Sequence, residues 1–153
     1  MRLHAATAAV VPPAANSNPI LTLPASDTTE CFDQGLCSQF DCGDETCVSQ
    51  LMTFIGQIPD QEAFDNGEYI ACVHGKNSTG GICASYQHIN GTALQAGHAG
   101  DLILNLTDSG CEKCGLTPLP TSLNMSDYSF TYQLNPAFLV DFVPTPCPHG
   151  PCR

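Results

Sequence analysis

Cys111 and Cys114, in SGCEKCGLTPLP at residues 109–120, are separated by two residues, and that spacing has three chemical meanings. A redox pair of the thioredoxin kind opens a helix after a buried parallel strand. A zinc site needs a second, matching pair of ligands and a reducing environment. Two structural anchors need only distant partners and an oxidising compartment. Here the pair follows a helical stripe and runs into Gly115 and a proline-rich loop, which does not suit the redox motif. The nearest matching pairs are Cys42-x4-Cys47 and Cys147-Pro-His-Gly-Pro-Cys152, the latter enclosing His149. Pro148 and Pro151 mark that segment as a turn in a stapled tail, so His149 reads as structural. Closing Cys111 onto Cys114 stabilises by only ~2 kcal/mol through chain entropy, whereas closing about 81 residues, as a bond to Cys31 would, is worth ~4.5 kcal/mol. The pair is therefore expected to be two neighbouring anchors on one loop.

Seven carboxylates crowd the stretch from Asp41 to Glu68 (Asp41, Asp44, Glu45, Asp60, Glu62, Asp65 and Glu68). Such a cluster admits a glycosidase-like acid and base pair, although any acidic protein offers similar pairs and a solvated face accounts for them. No spaced Asp loop of the calcium-binding kind is present, nor a G-x-S-x-G, HExxH or glycine-rich phosphate motif. His74, His88 and His98 are scattered and read as structural. CFDQGLCSQFDCGDETC lacks the adjacent cysteines and the aromatic platform of a hevein-type sugar-binding module. No catalytic residue, metal or cofactor is expected.

The elements that must position these groups follow from composition and periodicity. The chain has 153 residues, ten of them cysteine and none tryptophan, which suits one small exported domain reinforced by disulfides. Four of its eight asparagines stand in N-x-S/T sequons, where a Ser and Thr content of about 15% would give about one by chance. The formal charge is −11, and beyond Arg2 the only cations are Lys76, Lys113 and Arg153. Nucleic acid and anionic membrane surfaces are thereby poor partners, and no apolar run is long enough to insert in a bilayer. Residues 1–30 read as a signal or leader followed by a linker rich in Pro, Ser and Thr, and residues 31–153 as the stapled domain. Val48, Leu51, Met52 and Ile55 form a helical stripe, with Asp44 placed to cap it and Pro59 beyond its end. After a turn at Asn66-Gly67, residues 68–74 and 82–89 alternate as strands joined by a loop at 76–81. A second stripe at Ala99, Leu102, Ile103 and Leu106 ends near Gly110. Residues 128–134 and 137–143 read as further strands. The pattern predicts an α+β fold, a two-layer sandwich with an antiparallel sheet and two helices on one face. Asn77, Asn90 and Asn124 are the expected glycan acceptors, while Asn105, inside a helix beside core residue Leu106, is expected to stay bare.

From Cys31 to about Pro136 the chain resembles the killer protein 4-like family of fungal killer toxins. The matching residues are Cys31-x5-Cys37, Ile70-Ala71-Cys72, Gly81-Ile-Cys-Ala-Ser-Tyr-Gln87, Gly110-Cys111-x-x-Cys114-Gly115-x-x-Pro118-Leu119 and the strand SFTYQL. The resemblance implies an α/β sandwich, bonds from Cys31 to Cys111 and from Cys37 to Cys114, and a bond from Cys72 to the late cysteine Cys147. It implies a secreted, extracellular, monomeric protein that acts without enzymatic chemistry on a protein target of another cell, in toxin members a calcium channel. Two departures stand out: Cys42 and Cys47 lie close together, and a tail reaches Cys152. The channel-blocking toxins are also basic where this chain is acidic. Lys76, on the loop after Cys72, is the candidate for any toxin-like contact. A secreted hydrolase using the acidic cluster, and a structural wall or adhesion protein, are the alternatives.

Overall fold

The computed structural model describes residues 28–32, 34–76, 79–89, 91–120 and 135–153. In chain order these form β1 (Glu30–Cys31), α1 (Leu36–Gln39), α2 (Cys47–Ile55), β2 (Ala63–Phe64), β3 (Tyr69–His74), β4 (Gly81–Gln87), β5 (Leu94–Gln95), α3 (Ala96–Asp108), β6 (Gly115–Pro118), β7 (Ala137–Val143) and β8 (Gly150–Pro151). The stripe at Val48, Leu51 and Ile55 is the buried face of α2, and that at Ala99, Leu102, Ile103 and Leu106 the buried face of α3. The expected cap of α2 is corrected. Thr46, not Asp44, caps it: Thr46 Oγ1 accepts from the Ser49 N–H at 3.1 Å. The bond from Cys42 to Cys47 closes the intervening loop, so the helix starts at Cys47 and Asp44 falls in the turn before it.

Six strands form one antiparallel sheet in the order β1-β6-β7-β4-β3-β8, with β2 and β5 paired separately. β4, the central strand, is buried from Gly81 to Tyr86 because it is paired on both sides and covered by packing. α2 packs against α3 and against β3 and β4, while α3 also reaches β6 and β7. The protein is thus α+β, a helical layer on an antiparallel sheet, with a core that includes Leu51, Phe64, Ile70, Ile82, Tyr86, Ile103, Leu106 and Phe138. Tyr86 satisfies its buried hydroxyl by donating to the Gln95 carbonyl at 2.6 Å, and burial pushes its phenol pKa up. The strand expected at 128–134 lies outside the described residues.

Residues 115–118 form β6, not the proline-rich loop read from the sequence. Gly115 is what admits it: a Cβ there would come within 2.7 Å of the Glu30 carbonyl oxygen and of Leu106 Cδ2. The glycine lets β6 lie simultaneously against β1 and the end of α3. Pro118 is the last residue of this short strand.

Candidate functional site

The loop carrying Cys111 and Cys114 is a junction of four segments. α3 ends in a Schellman arrangement, with Gly110 at φ +81°. The Cys111 N–H reaches the Leu106 carbonyl and the Gly110 N–H the Thr107 carbonyl, each at 3.0 Å. Cys111 is bonded to Cys31 and Cys114 to Cys37, bridges spanning 80 and 77 residues. Between them, the Glu112 carbonyl accepts from Val48 N–H at 3.1 Å and satisfies a free donor in the first turn of α2. Lys113 Nζ donates to the Ser38 carbonyl at 2.6 Å. One loop therefore fixes the N-terminal segment, α1, the start of α2 and the end of α3.

The remaining bridges are Cys42–Cys47, Cys72–Cys83 and Cys147–Cys152. The expected bond between Cys72 and Cys147 is overturned. Cys72 and Cys83 stand directly opposite on the paired strands β3 and β4, with Cα atoms 4.1 Å apart. Cys147 instead closes the turn at Pro148–Pro151 onto Cys152. The sulfurs of Cys72, Cys147 and Cys152 still lie within 4.8 Å of one another, as do ligand atoms of Cys37, Cys114 and Asp141. Every cysteine in both groups is in a disulfide, so neither group offers the thiolates a soft metal requires.

The acidic stretch divides in two. Asp41, Asp44 and Glu45 join Glu112, Lys113 and Phe40 around an open cleft of about 310 Å³ at the N-terminal end of α2. Glu62 and Glu68 turn to the C-terminus, where both meet Arg153. Arg153 also lies over the Phe64 ring, 4.8 Å from its centroid. The Arg153 guanidinium and then the Asp65 N–H hold the Glu68 carboxyl below the usual carboxylate range. A general acid needs the opposite shift.

Lys76 is exposed, and its side chain runs across Gly43, where a Cβ would meet Lys76 Cε at 3.1 Å and Nζ at 3.5 Å. Its charge thus sits at the rim of the acidic cleft. Asn77, Asn90 and Asn124 lie outside the described residues. Asn105 lies in α3 beside buried Leu106, as read from the sequence, with its own side chain exposed.

Two histidines that read as unrelated in the sequence meet on the tail. The His74 N–H donates to His149 Nδ1 at 3.0 Å, and His74 Nε2 lies 2.7 Å from the Cys147 carbonyl oxygen. The His149 ring stands edge-on to Phe54, with centroids 4.9 Å apart. They are 75 residues apart in sequence, and only the pairing of β8 with β3 brings them together.

The Kp4 family model matches residues 19–131, well over half of the chain. The chain belongs to the Kp4 family. Kp4, killer protein 4, is a family of fungal killer toxins, secreted and generally non-enzymatic. No curated protein matches this chain. The Kp4 match covers β1 to β6 with α1 to α3, while β7 and the tail that closes with Cys147–Cys152 lie beyond it.

Proposed function

We propose that this Kp4 protein is a secreted toxin or effector that binds a protein on the surface of another cell. It acts as a monomer without catalysing a reaction, and its target surface differs from the acidic mouth of a cation channel. The placement of Lys76 carries this reading. A basic toxin gains on-rate from electrostatic attraction to an acidic mouth. Here Lys76 lies against Gly43, in the loop that carries Asp41, Asp44 and Glu45, in a chain of formal charge −11, so such an approach is repelled. The two loops at this end are the contact surface: the cleft between residues 41–47 and 112–113, and the turn after β3. Glycans at Asn77, Asn90 and Asn124 belong to the same secreted reading.

The test is to apply purified protein to fungal and plant cells, recording growth and calcium current, with wild type beside Lys76→Glu. Growth inhibition without calcium-current block by either protein supports the proposal. Strong block by the wild type that Lys76→Glu abolishes would overturn the claim that charge has moved the target. Binding saturable by unlabelled protein and lost after protease treatment of the cells marks the receptor as a surface protein.

A further inference from the structure

Two disulfides meet at the outer edge of the sheet, and nothing in the toxin reading uses their contact. Cys72–Cys83 crosses from β3 to β4 and is buried, with the two residues 0% and 2% exposed. Cys147–Cys152 closes the tail and is half-buried, open to small reagents. Cys152 Sγ lies 3.8 Å from Cys72 Sγ. That proximity does not depend on Cys147. β8 is paired to β3 at Ala71↔Pro151 and Cys72↔Gly150, the Cys152 N–H reaches the Ile70 carbonyl at 3.0 Å, and Arg153 is tied to Glu68. Cys152 is therefore held beside Cys72 by main-chain pairing even after its own disulfide opens.

We propose that Cys147–Cys152 and Cys72–Cys83 form a thiol-exchange site, whose substrate is a small external thiol and whose point of modification is Cys147. A thiolate RS⁻ attacks Cys147 Sγ, forming an RS–Cys147 mixed disulfide and breaking Cys147–Cys152, with the electron pair leaving on Cys152 Sγ. The Cys152 thiolate then attacks Cys72 Sγ. Cys72–Cys152 forms, Cys72–Cys83 breaks, and the electron pair leaves on Cys83, which takes a proton. Two disulfides are present before and two after within the site and its adduct, so no oxidant is consumed. Attack requires a thiolate placed against the disulfide sulfur with access to the reagent. The partial exposure of the tail supplies that access at Cys147–Cys152 and not at the buried Cys72–Cys83, and attack at Cys147 is the one that leaves the Cys152 thiolate against Cys72. The outcome is a tail covalently stapled to β3, in place of one closed upon itself, with a buried thiol left at Cys83.

The experiment treats the full-length protein with glutathione below stoichiometric excess, quenches with acid, alkylates after unfolding, and maps the disulfide-linked peptides by mass. Expected are a Cys72–Cys152 peptide, a glutathione adduct on Cys147, and alkylation of Cys83. Recovery of intact Cys72–Cys83 with Cys147 and Cys152 carrying only glutathione or alkyl groups would overturn the relay. A Cys72–Cys147 peptide would overturn the assignment of Cys152 as the attacking sulfur. Two variants provide a thiol-free check. Cys147→Ser leaves Cys152 as a free thiol beside Cys72 and is expected to rearrange to Cys72–Cys152 unaided, whereas Cys152→Ser is expected to keep Cys72–Cys83. Retention of Cys72–Cys83 in folded Cys147→Ser speaks against the proposal as directly as the wild-type result.

Discussion

Replacing Cys31 and Cys111 together by alanine removes one of two bridges that join the same pair of segments. Taken alone, each bridge closes a long loop, 80 residues for one and 77 for the other. Chain entropy assigns each such closure ~4.5 kcal/mol. The bridges interleave in sequence, however, and that changes the magnitude. With Cys37–Cys114 intact, Cys31–Cys111 closes only the ring built from the steps 31 to 37 and 111 to 114, about ten residues. The same relation then gives ~2.7 kcal/mol for either single loss and ~7 kcal/mol for loss of both, more than the two single losses added. A loss of ~7 kcal/mol falls within the total stability of a small domain, so the variant lacking both bridges is expected to be largely unfolded without denaturant. Cys37 and Cys114 are both buried, so their removal forfeits packing at two positions. Of the other pair only Cys111 is buried and Cys31 is exposed, which makes it the cleaner perturbation. Urea unfolding followed by circular dichroism measures the wild type and the two single-bridge variants at matched m-values. A loss near 4.5 kcal/mol for Cys31→Ala with Cys111→Ala would refute the reasoning. It would mean that residues 31–37 and 111–114 are not held as one unit by the other bridge.

Gly115→Ala places a methyl group against the Glu30 carbonyl and Leu106, and is expected to lower stability by about 1–3 kcal/mol in the same urea assay. An unchanged midpoint would show that β1 and α3 can part without cost. Thr46→Ala removes the side-chain acceptor for the Ser49 N–H and is expected to cost about 1 kcal/mol, with Thr46→Ser restoring most of it. Glu68 has a lowered folded-state pKa, so its contribution is present above the ordinary carboxylate range and fades as pH falls through the lowered value. The melting temperature of Glu68→Gln should therefore lie below wild type at neutral pH and converge with it in acid. A gap that widened in acid would contradict the pairing with Arg153.

The stripes of α2 and α3 were legible because each places four apolar residues at helical spacing. α3 buries all four of its stripe, and α2 buries Val48, Leu51 and Ile55 and leaves Met52 partly exposed. β7 was legible because AFLVDFV is apolar nearly throughout. β6 was not, because GLTP carries no alternation and contains two residues that usually mark loops. What makes it a strand is the close approach of Glu30 and Leu106, which is a tertiary fact. β1, β2, β5 and β8 have two residues each, too few to show any period. The disulfide between Cys72 and Cys83 depended on register: once β3 and β4 pair through the 75–80 loop, these cysteines are directly opposite. The meeting of His74 with His149 had no sequence signal at all, because it rests on the tail returning to β3.

The position of the tail also bears on the target recognition proposed for this Kp4 protein. A sheet recruits a partner strand through an open edge, by offering unpaired N–H and C=O groups. Among the described residues both edges of the main sheet are two-residue strands, β1 and β8. At the β3 side the tail takes up the Ile70 carbonyl through Cys152 and the His74 N–H through His149. Strand addition there would first have to strip off a segment held by main-chain pairing and by the Arg153 contacts with Glu62 and Glu68. On the proposed reading, recognition is therefore left to the loops at the sheet's ends. Of these, the 41–47 loop is fixed by its own disulfide and faces the loop of Cys111 and Cys114 across the acidic cleft. Because both walls of that cleft are anchored covalently, its carboxylates are presented in a set arrangement before any partner arrives. A preorganised acidic surface favours a basic partner, which is the opposite of what an acidic channel mouth provides.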